Sequence, residues 1–183
     1  MHFAEEILSG TWVVRLKRFD DARGSFVKTY SRRVFDEALG ALPGAPAFEA
    51  REEFYSSSAR GVIRGMHFQL PPHAHAKLVY CAVGMVDDVL LDLRRGPGYG
   101  RVAVIRLDAA EPAAIYVPAG VAHGFCARID GSLMVYKTTS EHTPSHDAGV
   151  RYNSFGFDWQ CPVPVLSARD QAHLAFADFD SPF

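Results

Sequence analysis

From Phe54 to Lys137 the chain alternates short apolar runs with turn signals, and this rhythm limits the fold more than any other feature. The runs are "KLVYCAVG", "MVDDVLLDL", "RVAVIRL", "AAIYVP", "GFCARI" and "SLMVYKTT". Between them lie "RRGPGYG", "DAAEP", "PAGVAHG" and "DG". Short strands at roughly 8–12-residue spacing point to a β-sandwich or barrel. No long helical segment is available to cross between parallel strands, which argues against a doubly wound fold.

The flanks fit the same picture. "TWVVRLKRF" and "SFVKTY" surround the Gly-containing "DDARG" and read as a hairpin. "SRRVFDEALG" is the one clear helix: Ser31 stands as cap, Val34, Phe35, Ala38 and Leu39 recur at helical spacing, and Gly40 ends it. "ALPGAPAFEA" reads as a loop before another strand, and "PVLSARDQAHLAF" as a tail with a short helix. At 183 residues, 48% of them hydrophobic, the chain suits one domain over 1–183 with a substantial core. A formal net charge of -2 gives no basic field for nucleic acid. Apolar runs such as "VAVI" are too short to span a bilayer, and the acidic start "MHFAEEILSG" does not resemble a secretory leader. A cytoplasmic protein without membrane contact is the expectation. Cys81, Cys126 and Cys161 are odd in number and far apart, so they read as core thiols.

The densest chemistry lies in "RGMHFQLPPHAHAKLV". Metal-binding cupins, which are small double-stranded β-barrels, use an HxH pair, a glutamate and a later histidine. Here "HAH" (His73 and His75) and "VPAGVAHGF" (His123) match in part. Where that pattern has its glutamate, this chain has Lys77, and an ammonium offers a divalent cation no lone pair. His73 and His75 follow two prolines and read as solvated loop residues. The alternative is proton transfer: a histidine braced by a carboxylate as base, a lysine beside a developing oxyanion, and a tyrosine as acid. Many residues could fill these roles, and spacing alone does not select among them.

Six pieces in order do select. "DARGSFVKTY", "RGVIRGMHFQLPPHAHAKLVYCAVGMVDDVLLDLRRG", "YVPAGVAHGF", "VYKTT", "GFDW" and "LSARD" resemble the dTDP-4-dehydrorhamnose 3,5-epimerase family over roughly residues 10 to 175. The resemblance implies a mainly β, cupin-type double-stranded β-helix (a jelly-roll barrel) with a few short helices. It implies an epimerase acting on a nucleotide-linked 4-keto-6-deoxy sugar for surface polysaccharide, without metal or organic cofactor, as a homodimer. By the same resemblance the base falls on His67, its carboxylate on Asp170, the oxyanion lysine on Lys77 and the acid on Tyr136. His123 and Arg64 line the cavity, Arg23 and Phe26 contact the nucleotide sugar, and Gln69 and Arg60 are further binding candidates.

Two departures bear on specificity. The second of two family tyrosines after "YKTT" is His142, a position near the sugar, so inversion at C3, C5 or both stays open. Glu52 and Phe54 stand where the family carries Gln and Asn near the nucleotide end, so dTDP-, GDP- and CDP-linked substrates all remain in view. A 3,4-ketoisomerase and a non-catalytic sugar-binding cupin are the alternatives.

Overall fold

The computed structural model describes residues 1–42 and 48–183; the central residues of the "ALPGAPAFEA" loop lie outside them. Among the described residues, thirteen strands form two antiparallel sheets and a separate hairpin. The first sheet contains β1 (His2–Leu8), β2 (Thr11–Arg15), β5 (Glu52–Ser58), β7 (Lys77–Val83), β10 (Ala113–Val117) and β12 (Ser132–Thr138), in the order β1-β2-β10-β7-β12-β5. The second contains β6 (Ile63–Gln69), β8 (Met85–Asp92), β9 (Val102–Asp108), β11 (Val121–Ala127) and β13 (Asp147–Gly149), in the order β13-β6-β11-β8-β9. Among the described residues, β3 (Arg18–Asp21) and β4 (Gly24–Val27) pair only with each other. This is the cupin-type jelly roll that the strand rhythm and the resemblance lead one to expect.

Period-2 alternation builds three apolar layers. Along β7, Val79 and Cys81 face the second sheet, while Leu78 and Tyr80 face outward. In β10, Ile115 and Val117 point inward and Ala114 and Tyr116 outward. The outer layer is covered by α1 (Arg32–Gly40), which buries Phe35 and Leu39 one turn apart. On the far side of the second sheet, Met66, Leu91 and Cys126 are covered by the C-terminal tail through Trp159, Phe179 and Phe183.

Three local expectations need correcting. "TWVVRLKRF" is not one strand. β10, the neighbour of β2, begins at Ala113, and the preceding Pro112 has no N–H to extend the ladder. Leu16 N–H still reaches the Pro112 carbonyl at 3.2 Å, and the chain then leaves the sheet to form β3. The hairpin around "DDARG" is therefore β3–β4, with Arg18 opposite Val27 and Phe19 opposite Phe26. The acidic start is itself a strand, β1; an edge position tolerates its exposed glutamates while Leu8 is buried. Ser31 occupies the helix-cap position, but its hydroxyl makes no capping bond.

Among the described residues, no helix is long and apolar enough to cross a membrane.

Candidate active site

A cavity of about 400 Å³ opens between the two sheets. One wall carries Glu52, Phe54 and Ser56 of β5, Lys77 of β7 and Tyr136 of β12. The other carries Arg64, His67 and Gln69 of β6 and His123 and Phe125 of β11. His75, His142, Asp147 and Arg169 come from flanking segments.

β6 reaches this arrangement through a break at Gly65. Simple alternation would put Arg64, Met66 and Phe68 on one face and Ile63 and His67 on the other. Instead Ile63, Met66 and Phe68 all pack in the layer under the tail, while Arg64, His67 and Gln69 face the cavity. The register against β11 shifts between His123 and Phe125, opposite this point. Gly65 has φ +138°, and a Cβ there would overlap the Gly124 backbone. A glycine on each strand therefore permits the close approach that resets which side chains reach the cavity.

His67 Nε2 lies 2.8 Å from Asp170 Oδ1. Asp170 sits in α2 (Ala168–Ala172), whose N-cap Ser167 accepts the Asp170 amide at 3.0 Å. The aspartate side chain is thus free to turn toward β6, where its second oxygen accepts the Gly65 amide at 3.2 Å. Burial works to raise the Asp170 pKa, but the bonds from His67, Gly65 and Ser167 outweigh it and hold it below the usual carboxylate value. Burial lowers the His67 pKa, opposed by Asp170, so neutral imidazole is favoured at neutral pH. With Nε2–H donated to the carboxylate, Nδ1 carries the free lone pair.

Lys77 Nζ donates to the His67 carbonyl at 3.1 Å, and burial lowers its pKa to about 8. On the same wall as Lys77, across the cavity from His67, the Tyr136 hydroxyl and Ser56 Oγ are 3.2 Å apart. The Tyr136 ring stacks on Phe54 with centroids 4.8 Å apart. Burial pushes the Tyr136 phenol well above its ordinary pKa, so it keeps its proton. His123 Nε2 lies 2.7 Å from Asp88 Oδ2, and both side chains are buried.

His142 stands at the mouth, 3.3 Å from Asp147, which also pairs with Arg169 at 2.8 Å. Its amide donates to Glu52 at 2.9 Å. Gln69 lines the cavity and also ties two loops together: Oε1 accepts the Thr143 amide at 2.6 Å, and Nε2 donates to the His73 carbonyl at 2.9 Å.

His73 and His75 are not solvated loop residues. His75 Nδ1 is within 3.1 Å of Gln69 and Ser140, and burial lowers its pKa to about 3. His73 is half-buried, its ring 4.4 Å from that of His146. Among the described residues, neither gathers with His123 and a carboxylate into a ligand set. Three binding candidates lie away from the cavity of their own chain. Arg60 is exposed in a turn, its amide bonded to Asp130. Arg23, with a side chain 90% exposed, pairs with Asp21, and Phe26 is 60% exposed on the same hairpin.

Sequence reasoning missed Asp88, Ser56, Asp147 and Arg169. Asp88 left a trace, as a carboxylate at an inward position of the apolar strand "MVDDVLLD". Arg169 lay beside Asp170 in "LSARD". Ser56, within "YSSSA", carried no signal.

The model of the dTDP-4-dehydrorhamnose 3,5-epimerase family matches residues 5–178. The chain belongs to that family. It is 39% identical over 166 residues to the dTDP-4-dehydrorhamnose 3,5-epimerase of Pseudomonas aeruginosa, covering 88% of both chains. It is 36% identical over 174 residues to the dTDP-4-dehydrorhamnose 3-epimerase of Streptomyces niveus, covering 93% of this chain and 82% of that one. A crystal structure of the dTDP-6-deoxy-D-glucose-3,5-epimerase of Legionella pneumophila, in complex with dTDP-4-keto-L-rhamnose, superimposes with a TM-score of 0.90. Its identity is 26%, over 98% of this chain and 94% of that one. As a member of this family the chain is an isomerase of the epimerase class.

Proposed function

We propose that the chain, folded as one domain, epimerises a dTDP-linked 4-keto-6-deoxy sugar beside its C4 ketone. The observation that carries this is the placement of the braced His67 on one wall of the cavity and the protonated Tyr136 on the other. His67 Nδ1 takes the proton from the carbon next to the carbonyl, and the electron pair of that C–H bond moves to the ketone oxygen. The Lys77 ammonium faces the resulting enolate, with His123 beside it. Tyr136 then delivers its proton to the opposite face of the carbon. Exchange with solvent returns a proton to the phenolate and removes one from the imidazolium.

The energetics require this division. An α-proton roughly 12 pKa units too weak for neutral pH places the carbanion ~16 kcal/mol uphill. A placed base contributes ~3–5 kcal/mol, and one oxyanion donor a further ~3–4 kcal/mol. Orientation by the nucleotide diphosphate must contribute the rest. Arg64 and Arg169, at the cavity edge, are the cations of this chain placed for it.

C3 is the centre named for both the 3,5- and the 3-epimerase relatives, and we assign it first. The dTDP assignment rests on the same relatives. We place the enzyme in the cytoplasm, in the supply of deoxysugars for surface polysaccharide.

We also propose a homodimer in which the β3–β4 hairpin reaches the partner's cavity. Arg23 and Phe26 match family residues that touch the nucleotide sugar, yet they project from their own chain away from its cavity. Incubation with dTDP-, GDP- and CDP-linked 4-keto-6-deoxyglucose, followed by NMR of the products, tests the reading. Inverted C3 on the dTDP substrate is expected. A carbonyl moved to C3, or binding without turnover on all three, would contradict it.

A further inference from the structure

A histidine that no motif singles out stands behind the proposed base. His173 follows α2, and its side chain is 12% exposed. Its Nε2 is buried without a hydrogen-bond partner among the described residues. That nitrogen lies 3.8 Å from Asp170 Oδ1, the same oxygen that pairs with His67 at 2.8 Å. The two imidazoles meet edge to face, with centroids 5.6 Å apart. The ring of His173 is fixed there by β13, which passes so close that a Cβ on Gly149 would overlap it.

An unpartnered buried imidazole nitrogen is costly unless something uses it. Two imidazole nitrogens and one carboxylate oxygen converge here, all within 4.8 Å of one another. This donor set suits zinc and its neighbours among the divalent transition ions. Zinc bonds of ~2.0–2.2 Å in a tetrahedron space the ligand atoms roughly 3.3 Å apart. The two edges at Asp170 Oδ1, 2.8 and 3.8 Å, lie on either side of that spacing, and side-chain rotations that bring the two imidazole nitrogens, which lie within 4.8 Å of each other, to the same distance would close the set. The nearest guanidinium, that of Arg169, is turned to Asp147 and does not compete for Asp170.

We propose that His67, Asp170 and His173 form an inhibitory binding site for a divalent transition-metal ion of the zinc class. The ion binds His67 as the neutral tautomer: Nε2 gives its proton to solvent as Nδ1 takes one up, so the ring stays neutral overall. Nδ1, now carrying a proton, cannot accept one from the substrate, and the ion also occupies the carboxylate that braces the ring. The consequence for turnover rests on the epimerase reading; the binding itself does not.

The test uses the full-length protein, freed of metal with a chelator and titrated with Co²⁺ and then Zn²⁺. Visible absorption reports binding, and solvent-deuterium exchange into the dTDP-linked 4-keto sugar reports activity. One equivalent of Co²⁺ should bind with tetrahedral-type bands, Zn²⁺ should displace it and suppress exchange, and chelator should restore exchange. His173→Ala and His173→Gln should keep the metal-free exchange rate and lose affinity for both ions by ~10-fold or more. The Gln variant retains most of the ring's volume and guards against misfolding of the first. Wild-type protein without stoichiometric Co²⁺ bands would overturn the site. So would variants that bind and are inhibited at wild-type concentrations. Intact Co²⁺ binding in a metal-free protein that never exchanges deuterium would instead count against the epimerase reading and leave the site standing.

Discussion

Two histidine–aspartate pairs face one cavity, and they are built to different ends. His67–Asp170 joins a strand to a short helix far along the chain; its imidazole is 28% exposed to the cavity and its carboxylate accepts from two partners. His123–Asp88 joins adjacent strands β11 and β8, is sealed from solvent, and leaves Asp88 Oδ1 without a partner among the described residues. A braced imidazole that still meets the substrate can gain and lose a proton during turnover. A sealed pair meets no solvent, and its contribution is a fixed ring orientation. The same two residue types thus give a proposed base in one place and a positioning strut in the other.

The largest expected effect separates the pairs by rate. His67→Ala should lower kcat by ~10²–10⁴-fold, the usual contribution of a placed base. His123→Ala should cost clearly less in steady-state kinetics, and equal losses would break the comparison. Asp170→Asn comes next. The amide can still accept the Gly65 N–H, but it no longer fixes the His67 tautomer or balances the imidazolium, so kcat should fall by ~10²-fold with KM little changed.

Stability should rank the pairs in reverse. Asp88→Ala leaves the His123 nitrogen buried and unpaired, at a cost of about 1–3 kcal/mol in urea unfolding. Asp170→Asn should cost less, because its histidine still meets the cavity. Lys77 sharpens the picture through pH. In the proposed reaction its ammonium is the form that stabilises the enolate, and burial lowers its pKa to about 8. Above the acidic range in which His67 takes up a proton, activity should therefore be full below that value and decline as pH rises through it. Lys77→Arg should move this limb to higher pH. Tyr136, held protonated by burial, should not produce it. The smallest effect belongs to Gln69→Ala, which frees the loop bearing His142 and should raise KM a few-fold without moving the pH profile.

How much of this could be read in advance depended on distance along the chain. The strand rhythm and α1 are local patterns, and both were legible. β1 was hidden because its charges sit on an exposed sheet edge, and the break after β2 depended on Pro112, about a hundred residues away. His67 and Asp170 are 103 residues apart, so only the ordered motifs of the family, not any spacing, could pair them. Asp88 was visible as a misplaced charge, yet its partner was not, since strand order decides which histidine it meets. The inward turn of His75 follows from Gln69 and Ser140, which no local pattern links to it. His173 had no signal at all: its significance comes from a glycine on β13 that lets its ring lie beside Asp170.

The central claim is tested most directly by running the reaction in D₂O with wild-type, His67→Ala and Tyr136→Phe proteins and following the C3 hydrogen by NMR. The account predicts deuterium at C3 with inversion for the wild type, exchange with the original configuration retained for Tyr136→Phe, and no exchange for His67→Ala. Exchange and inversion at the wild-type rate in the His67→Ala protein would contradict it.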